Sequence, residues 1–228
     1  MHLNSEIFEQ LDNYKKLWQE NGIVTITDLL CPVLADDLNE YLLDLPEERW
    51  DVSIHPYLPQ QYTFSNTSDN QDFITKGIKS ANDAYNRGEF SYCFRRYEGY
   101  SNDGIKIKEL ISSADFLQMI NDITGASVKD VISVFASMYT SNSFLSIHTD
   151  TGRGKIAFVL NLTKDWDENN GGCFELLTPD WCNVKRRVCP QFNSLTFFNV
   201  EGDGVPHRVT RIHENITAKR IAFSGWLI

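Results

Sequence analysis

No hydrophobic run in this chain is long enough to cross a bilayer; the apolar stretch 156–162 is only strand-sized and contains Asn161. The first residues, Met-His-Leu-Asn-Ser-Glu-Ile, lack the basic start and apolar core of a secretory signal, so a cytoplasmic location is expected. Positive charge is scarce as well. With 21 Lys and Arg against 31 Asp and Glu the formal charge is −10, which repels phosphate backbones and anionic lipid. Neither a nucleic-acid nor a membrane partner is expected. Cysteine is sparse, and the five residues Cys31, Cys93, Cys173, Cys182 and Cys189 are odd in number and show no zinc-motif spacing. Reduced thiols are the expectation. No repeat, low-complexity tract or Pro/Gly-rich linker divides the chain, so residues 1–228 are read as a single domain.

What is present is ordinary globular material, 42% apolar and 12% aromatic, enough to bury a substantial core. Residues 1–129 read mainly as helical support with outer strands. Leu3, Ile7, Phe8, Leu11, Tyr14 and Leu17 recur at helical spacing up to Gly22. Residues 23–26 are β-prone, and Pro32 opens a second helix. Further helices are expected over 72–87 and 114–124, each followed by glycine, with a strand over 89–97. The stretch 55–70 is polar and aromatic without clear period and reads as a mobile loop. From residue 130 the pattern changes to short alternating runs at 131–140, 144–149, 155–162, 172–177, 184–189, 194–200, 207–212 and 219–227. Asn169-Asn170-Gly171-Gly172 and Glu201-Gly202-Asp203-Gly204 mark turns. Eight strands at such spacing suit a sandwich or barrel with helices packed outside.

Within that barrel core, 130–228, three residues stand out: His148 and Asp150 in Ile-His-Thr-Asp, and His207 in Pro-His-Arg-Val. Side chains two apart on a strand share a face, so His148 and Asp150 point together and His207 arrives from another strand. Two imidazoles and one carboxylate can cap one face of Fe(II) and leave the opposite positions open. Structural zinc, four-coordinate and closed, has no such requirement. His-X-Asp alone is a common tripeptide and carries little; the second histidine and a following arginine give it weight.

That arginine is Arg220, thirteen residues past His207. Alternation puts Arg220, Ala222, Ser224 and Trp226 on one face of the last strand. A guanidinium inside an apolar barrel needs an anion, and the far carboxylate of a dicarboxylic cosubstrate supplies one in bidentate geometry. An internal Asp or Glu partner is the structural alternative. Taken together, the four residues point to an iron-dependent oxygenase.

The ordered set of segments resembles the prolyl-4-hydroxylase-like branch of the 2-oxoglutarate/Fe(II) dioxygenases. It runs from Asn-Gly-Ile-Val-Thr-Ile-Thr-Asp near the start through Ser-Met-Tyr-Thr, His148-Thr149-Asp150, 155–162, Gly-Gly-Cys-Phe-Glu-Leu, Asn-Ser-Leu-Thr-Phe-Phe and His207-Arg208-Val209. The ending, Arg220 to Ser224-Gly225-Trp226-Leu227, is especially similar to ribosomal-protein prolyl hydroxylases. The resemblance covers most of the chain and implies a double-stranded β-helix, a jelly-roll barrel. It also implies iron held by His148, Asp150 and His207, with Arg220 on the 2-oxoglutarate C5 carboxylate. Tyr139 matches a tyrosine that lines the cosubstrate pocket. Asn161 falls where many members carry a second tyrosine, and Ser224 shares the Arg220 face.

The implied chemistry is hydroxylation of an unactivated C–H bond with Fe(II), 2-oxoglutarate and O2, supported by ascorbate. A prolyl residue in a protein or peptide is the first substrate reading; free proline, another amino acid or a small metabolite is the second. Asp150 argues against a halogenase, which needs that ligand position open. Arg95, Arg96 and Arg153 are candidates for a substrate carboxylate, against the plainer reading as solvated surface charges. Trp166 and Trp181 are candidates for the pocket mouth, against the plainer reading as core or rim packing; His55 is a candidate for substrate contact from the 55–70 loop, and His2 and His213 are bystanders. Two other classes stay open: a non-catalytic β-barrel that binds a ligand or partner, and a zinc-dependent hydrolase, for which no general base is evident.

Overall fold

Helices dominate the first half of the chain, where apolar residues recur every three or four positions, and strands the second half, where they alternate. The computed structural model describes residues 3–58, 61–99 and 107–228. Its helices are α1 (Leu11–Asn21), α2 (Pro32–Asp44), α3 (Gln71–Asn86), α4 (Ile107–Ile111) and α5 (Ala114–Thr124). Its strands are β1 (Ile23–Ile26), β2 (Asp51–Leu58), β3 (Gln61–Phe64), β4 (Tyr92–Tyr97), β5 (Val131–Tyr139) and β6 (Phe144–His148), then β7 (Ile156–Asn161), β8 (Phe174–Leu177), β9 (Val184–Val188), β10 (Ser194–Asn199), β11 (His207–Val209) and β12 (Arg220–Leu227). Helix ends fall where the sequence supplies caps. Gly22 and Gly125 close α1 and α5 in the left-handed region, and the Ser113 hydroxyl accepts from the Phe116 N–H to open α5.

The described strands form one antiparallel sheet in the order β1-β10-β7-β12-β5-β4-β6-β11-β8-β9, with β2 and β3 added beyond β4. The fold over of this sheet happens along β4. Arg95, Arg96 and Tyr97 pair with β5, whereas Tyr92 and Cys93 pair with β6 along the same edge. The turn between β5 and β6 therefore sends the chain from one layer into the other. The layers then face each other, with Phe174 of β8 and Phe198 of β10 4.9 Å apart between ring centroids. The result is a double-stranded β-helix, the form that the family resemblance implies and one kind of the sandwich or barrel that the strand spacing suits.

Period two decides what each layer buries. On β12, Ile221, Phe223 and Leu227 join Phe158, Leu160 and Phe197 against Leu38, Leu42, Phe116 and Ile120 of the helices. Removing a buried ring such as Phe158 or Phe223 costs about 3–5 kcal/mol. The opposite face, with Arg220, Ser224 and Trp226, looks into the barrel. No helix among the described residues is long and apolar enough to cross a membrane.

Two expectations are overturned. The stretch 55–70 is not a loop, although residues 59–60 lie outside the described residues. β2 continues to Leu58, β3 occupies Gln61–Phe64, and Ser68–Asn70 form a 3-10 turn. Val52, Ile54 and Phe64 are buried against Ile74 and Ala81 of α3, a tertiary contact that the local period of so polar a segment does not announce. Nor are all the cysteines reduced: Cys173 and Cys189 form a disulfide. Phe174 is paired with Val188 across the β8–β9 hairpin, so the residue before one strand lies beside the residue after the other. The helix α4 is also absent from the sequence reading.

Candidate active site

His148 ends β6 and His207 begins β11, and the register sets them directly opposite one another, ring centroids 4.2 Å apart. Asp150 lies two residues past the end of β6 rather than on it. A turn in which the Arg153 N–H donates to the Asp150 carbonyl (3.0 Å) follows it. Its carboxylate still meets both rings: Oδ1 is 3.5 Å from His148 Nε2, and Oδ2 is 3.5 Å from His207 Nε2. These are the three residues singled out in the sequence, and among the described residues they form a group able to hold a metal ion.

The backbone around them selects the ring tautomers. His148 Nδ1 lies 3.0 Å from the Ser146 carbonyl and His207 Nδ1 2.8 Å from that of Val205. A carbonyl only accepts, so each neutral ring carries its proton on Nδ1 and turns the Nε2 lone pair inward. Two lone pairs and a carboxylate then converge on one point, an arrangement that calls for a cation between them. Donors about 2.1 Å from a divalent ion on one octahedral face stand about 3 Å apart, close to what is observed. Burial by itself would raise the Asp150 carboxyl, but the two imidazoles beside it, by hydrogen bonds and charge when they are protonated, hold it well below the usual carboxylate range. Burial lowers His207, partly offset by Asp150, which favours the neutral ring a metal requires.

Arg220 lies in the same cavity, of about 230 Å³, with 3% of its surface exposed. Burial lowers its pKa, yet a guanidinium stays charged in proteins. Among the described residues no carboxylate pairs with it, and its buried Nε has no hydrogen-bond partner. The guanidinium stands 4.9 Å over the ring of Tyr139, its cross-strand neighbour. Burial pushes the Tyr139 phenol up, Arg220 pulling the other way, so the O–H is retained as a donor. Phe94 stacks on Tyr139 at 5.1 Å, and Ser224 lines the cavity. Asn161 sits beside Ala222 but does not reach the cavity wall; its Nδ2 donates to Ser194 Oγ (3.4 Å), and its Oδ1 is buried without a partner. A charged, unpaired donor in an enclosed pocket fits a carboxylate ligand.

Of the other sequence candidates, Arg96 and Arg153 line the cavity. Arg95 instead faces away and pairs with Glu47 at 3.1 Å. His55 packs against Phe90 and Tyr92 at the edge of the site, and Phe90 in turn lies 5.9 Å from His148. Trp181 is exposed in a neighbouring groove, and the Trp166 indole donates to the Gly171 carbonyl. Two contributors have roles that the sequence did not announce: Gly172, which makes room for Arg220, and Trp226, expected on the Arg220 face, whose indole N–H donates to Asp150 Oδ2 at 2.9 Å.

The sequence model of the 2OG-Fe(II) oxygenase superfamily matches residues 134–228, which hold the three candidate ligands, Tyr139 and Arg220. That segment, β6 to β12 with most of β5, is similar to this superfamily. Fe(II) and 2-oxoglutarate are the cofactor and cosubstrate of that superfamily, and the donor set described above fits both. Among curated relatives, prolyl 3-hydroxylase OGFOD1 of Xenopus laevis is 27% identical over 143 residues, covering 59% of this chain and 28% of the relative. Prolyl 3-hydroxylase sudestada1 of Drosophila melanogaster is 30% identical over 108 residues, covering 42% and 20%. The chain thus spans well under half the length of the relatives it matches. Among solved structures, a Pseudomonas putida prolyl-4-hydroxylase superposes with a TM-score of 0.53 at 15% identity, covering 95% of this chain and 97% of that one. The epimerase SnoN from nogalamycin biosynthesis gives 0.60 at 12% identity, covering 95% and 81%. At these identities the likeness is one of fold.

Proposed function

We propose that this protein is a 2-oxoglutarate- and Fe(II)-dependent hydroxylase of a prolyl residue in a protein or peptide. One observation carries the reading: His148, Asp150, His207 and a buried Arg220, which has no acidic partner among the described residues, line a single cavity. The prolyl substrate is favoured because the curated relatives above are prolyl 3-hydroxylases. Residues 1–228 are read as one oxygenase domain, since β1 and β4 complete the sheet that the matched segment begins. A cytoplasmic setting is retained from the sequence; there the Cys173–Cys189 bond would be open to thiol exchange.

In this reading His148 Nε2, His207 Nε2 and an Asp150 oxygen hold the metal, and the Ser146 and Val205 carbonyls keep the two rings turned toward it. Arg220 and the Tyr139 hydroxyl bind and orient the far carboxylate of the cosubstrate, in a pocket whose burial strengthens the charge pairing. When bound, Fe(II) would let O2 act as the oxidant, one oxygen atom going into the substrate C–H to give C–OH and the other into succinate as 2-oxoglutarate loses CO2. The rings of Phe90, Tyr92, Phe135 and Trp226 around the cavity exclude water and confine the reacting carbon.

The test is succinate release by the purified protein with Fe(II), ascorbate and 2-oxoglutarate, alone and with proline-containing peptides or free amino acids. Peptide-stimulated release supports the reading, and stimulation by free proline alone moves the substrate to a small molecule. The variants His148→Ala and Asp150→Ala should release none. Wild-type rates from either variant would remove the metal assignment, and no release from any mixture would favour a non-catalytic barrel.

A further inference from the structure

Asp150 is the exposed weakness of the candidate metal site. His148 and His207 sit in β6 and β11, clamped by the ladder between those strands and by a carbonyl behind each ring. Asp150 has no ladder. It follows the end of β6 in a stretch with no strand pairing, and a free carboxylate there can rotate about two side-chain torsions. Facial coordination tolerates little such freedom, since a misplacement of about 1 Å in a site's geometry costs orders of magnitude.

Trp226 meets that need. Its indole N–H donates to Asp150 Oδ2 at 2.9 Å, a charge-assisted bond from a residue in the opposite layer of the barrel. Two side chains pack on the indole. Phe135 lies 5.8 Å away, ring centroid to centroid, and the Arg153 guanidinium stands 5.7 Å over the ring. Its backbone is fixed by pairing to Ser133 of β5 on one side and Ala157 of β7 on the other. The preceding Gly225 packs so tightly that a Cβ there would lie 2.0 Å from the Ser133 carbonyl oxygen.

We infer that Trp226 is a positioning residue of the metal site: its N–H, reaching from one layer, holds Oδ2 and aims Asp150 at the ion beside the two histidines of the other layer. The inference rests on the metal reading proposed above. It assigns the indole no contact with the metal and no part in bond making. What it predicts is a metal site assembled from both layers, so that affinity depends on one hydrogen bond across the barrel.

The experiment is calorimetric titration of Mn(II) into the apo protein, wild type, Asp150→Ala, Trp226→Phe and Phe135→Leu. Trp226→Phe keeps an aromatic ring and deletes the donor; Phe135→Leu loosens the packing and keeps the donor. Mn(II) should bind Trp226→Phe about tenfold more weakly than wild type, the low end of what loss of an outer-shell partner costs. Phe135→Leu should bind within about twofold of wild type. Equal affinity for Trp226→Phe and wild type, or equal losses in the Phe135 and Trp226 variants, overturns the inference. Binding that is indifferent to Asp150→Ala overturns the metal reading itself, a separate outcome. A second measurement needs no Trp226 variant. Among the five tryptophan indole N–H signals in a 1H–15N spectrum, one should move both on titration of the wild type with Zn(II) and on comparing apo wild type with apo Asp150→Ala. If no signal responds to both, the inference fails.

Discussion

Gly172 lies against the side chain of Arg220: a Cβ on it would stand 3.3 Å from Arg220 Cδ, 3.1 Å from Trp166 and 3.2 Å from Ile212. Its φ is +70°, a region a side chain enters at a cost of about 1–2 kcal/mol. The glycine therefore serves two ends, the turn before β8 and the space in which the arginine lies.

Those two roles separate experimentally. Gly172→Ala should lower the melting temperature by about 2–8 °C for a domain of this size and also raise the KM for 2-oxoglutarate severalfold. Gly202→Ala, at φ +74° with nothing within 4 Å, should share the thermal loss and leave that KM alone. Equal effects on KM would mean that the contact with Arg220 does not matter.

Arg220→Lys keeps the charge and loses the planar fork that grips a carboxylate with two parallel bonds. The KM for 2-oxoglutarate should rise at least about tenfold, roughly 1.4 kcal/mol, with a smaller change in kcat. Mn(II) affinity in the absence of cosubstrate should stay at the wild-type level, because Arg220 is not among the three grouped donors.

The Cys173–Cys189 bond closes a hairpin with a sequence separation of 16, for which chain entropy gives about 3 kcal/mol. Alkylation of the denatured protein should add three labels without reductant and five after it, since Cys31, Cys93 and Cys182 are free. Reduction should lower the urea midpoint. Five labels without reductant would show that the bond does not form.

Burial pushes the Cys93 thiol up to about 12, with Arg95 opposing. A pKa raised on folding means that the folded state holds its proton longer than the unfolded chain. The contribution is complete below the unfolded value near 9 and is lost as pH rises toward 12. Urea midpoints should therefore fall across that alkaline window, and less steeply in Cys93→Ala. In the native protein near neutral pH, iodoacetamide should label exposed Cys182 and spare Cys93.

Legibility followed the range of the forces involved. The strands from β5 to β12 could be placed within a few residues because each is a short β-prone run bounded by turn residues, and the caps Gly22 and Gly125 act within their own helices. The β2–β3 pair was opaque: Asp51, Ser53 and His55 alternate with apolar residues, but a polar run with two prolines gains its order from docking on β4 and α3. The disulfide was equally hidden, since a separation of 16 residues says nothing until hairpin register sets Cys173 beside Cys189.

The chain alone carried the chemistry: two imidazoles, a carboxylate and a guanidinium, in an order that a barrel of alternating strands can collect. Local sterics and the period-two burial of apolar side chains act between near neighbours, so they are written in the sequence. Tertiary structure alone decided how the parts meet. It put Asp150 beyond its strand and bonded to Trp226, left Asn161 off the cavity wall, turned Arg96 and Arg153 toward the cavity and Arg95 away, and kept Arg220 without a carboxylate. Those outcomes depend on pairing between residues scores of positions apart, where a shift of one residue turns a side chain from cavity to surface.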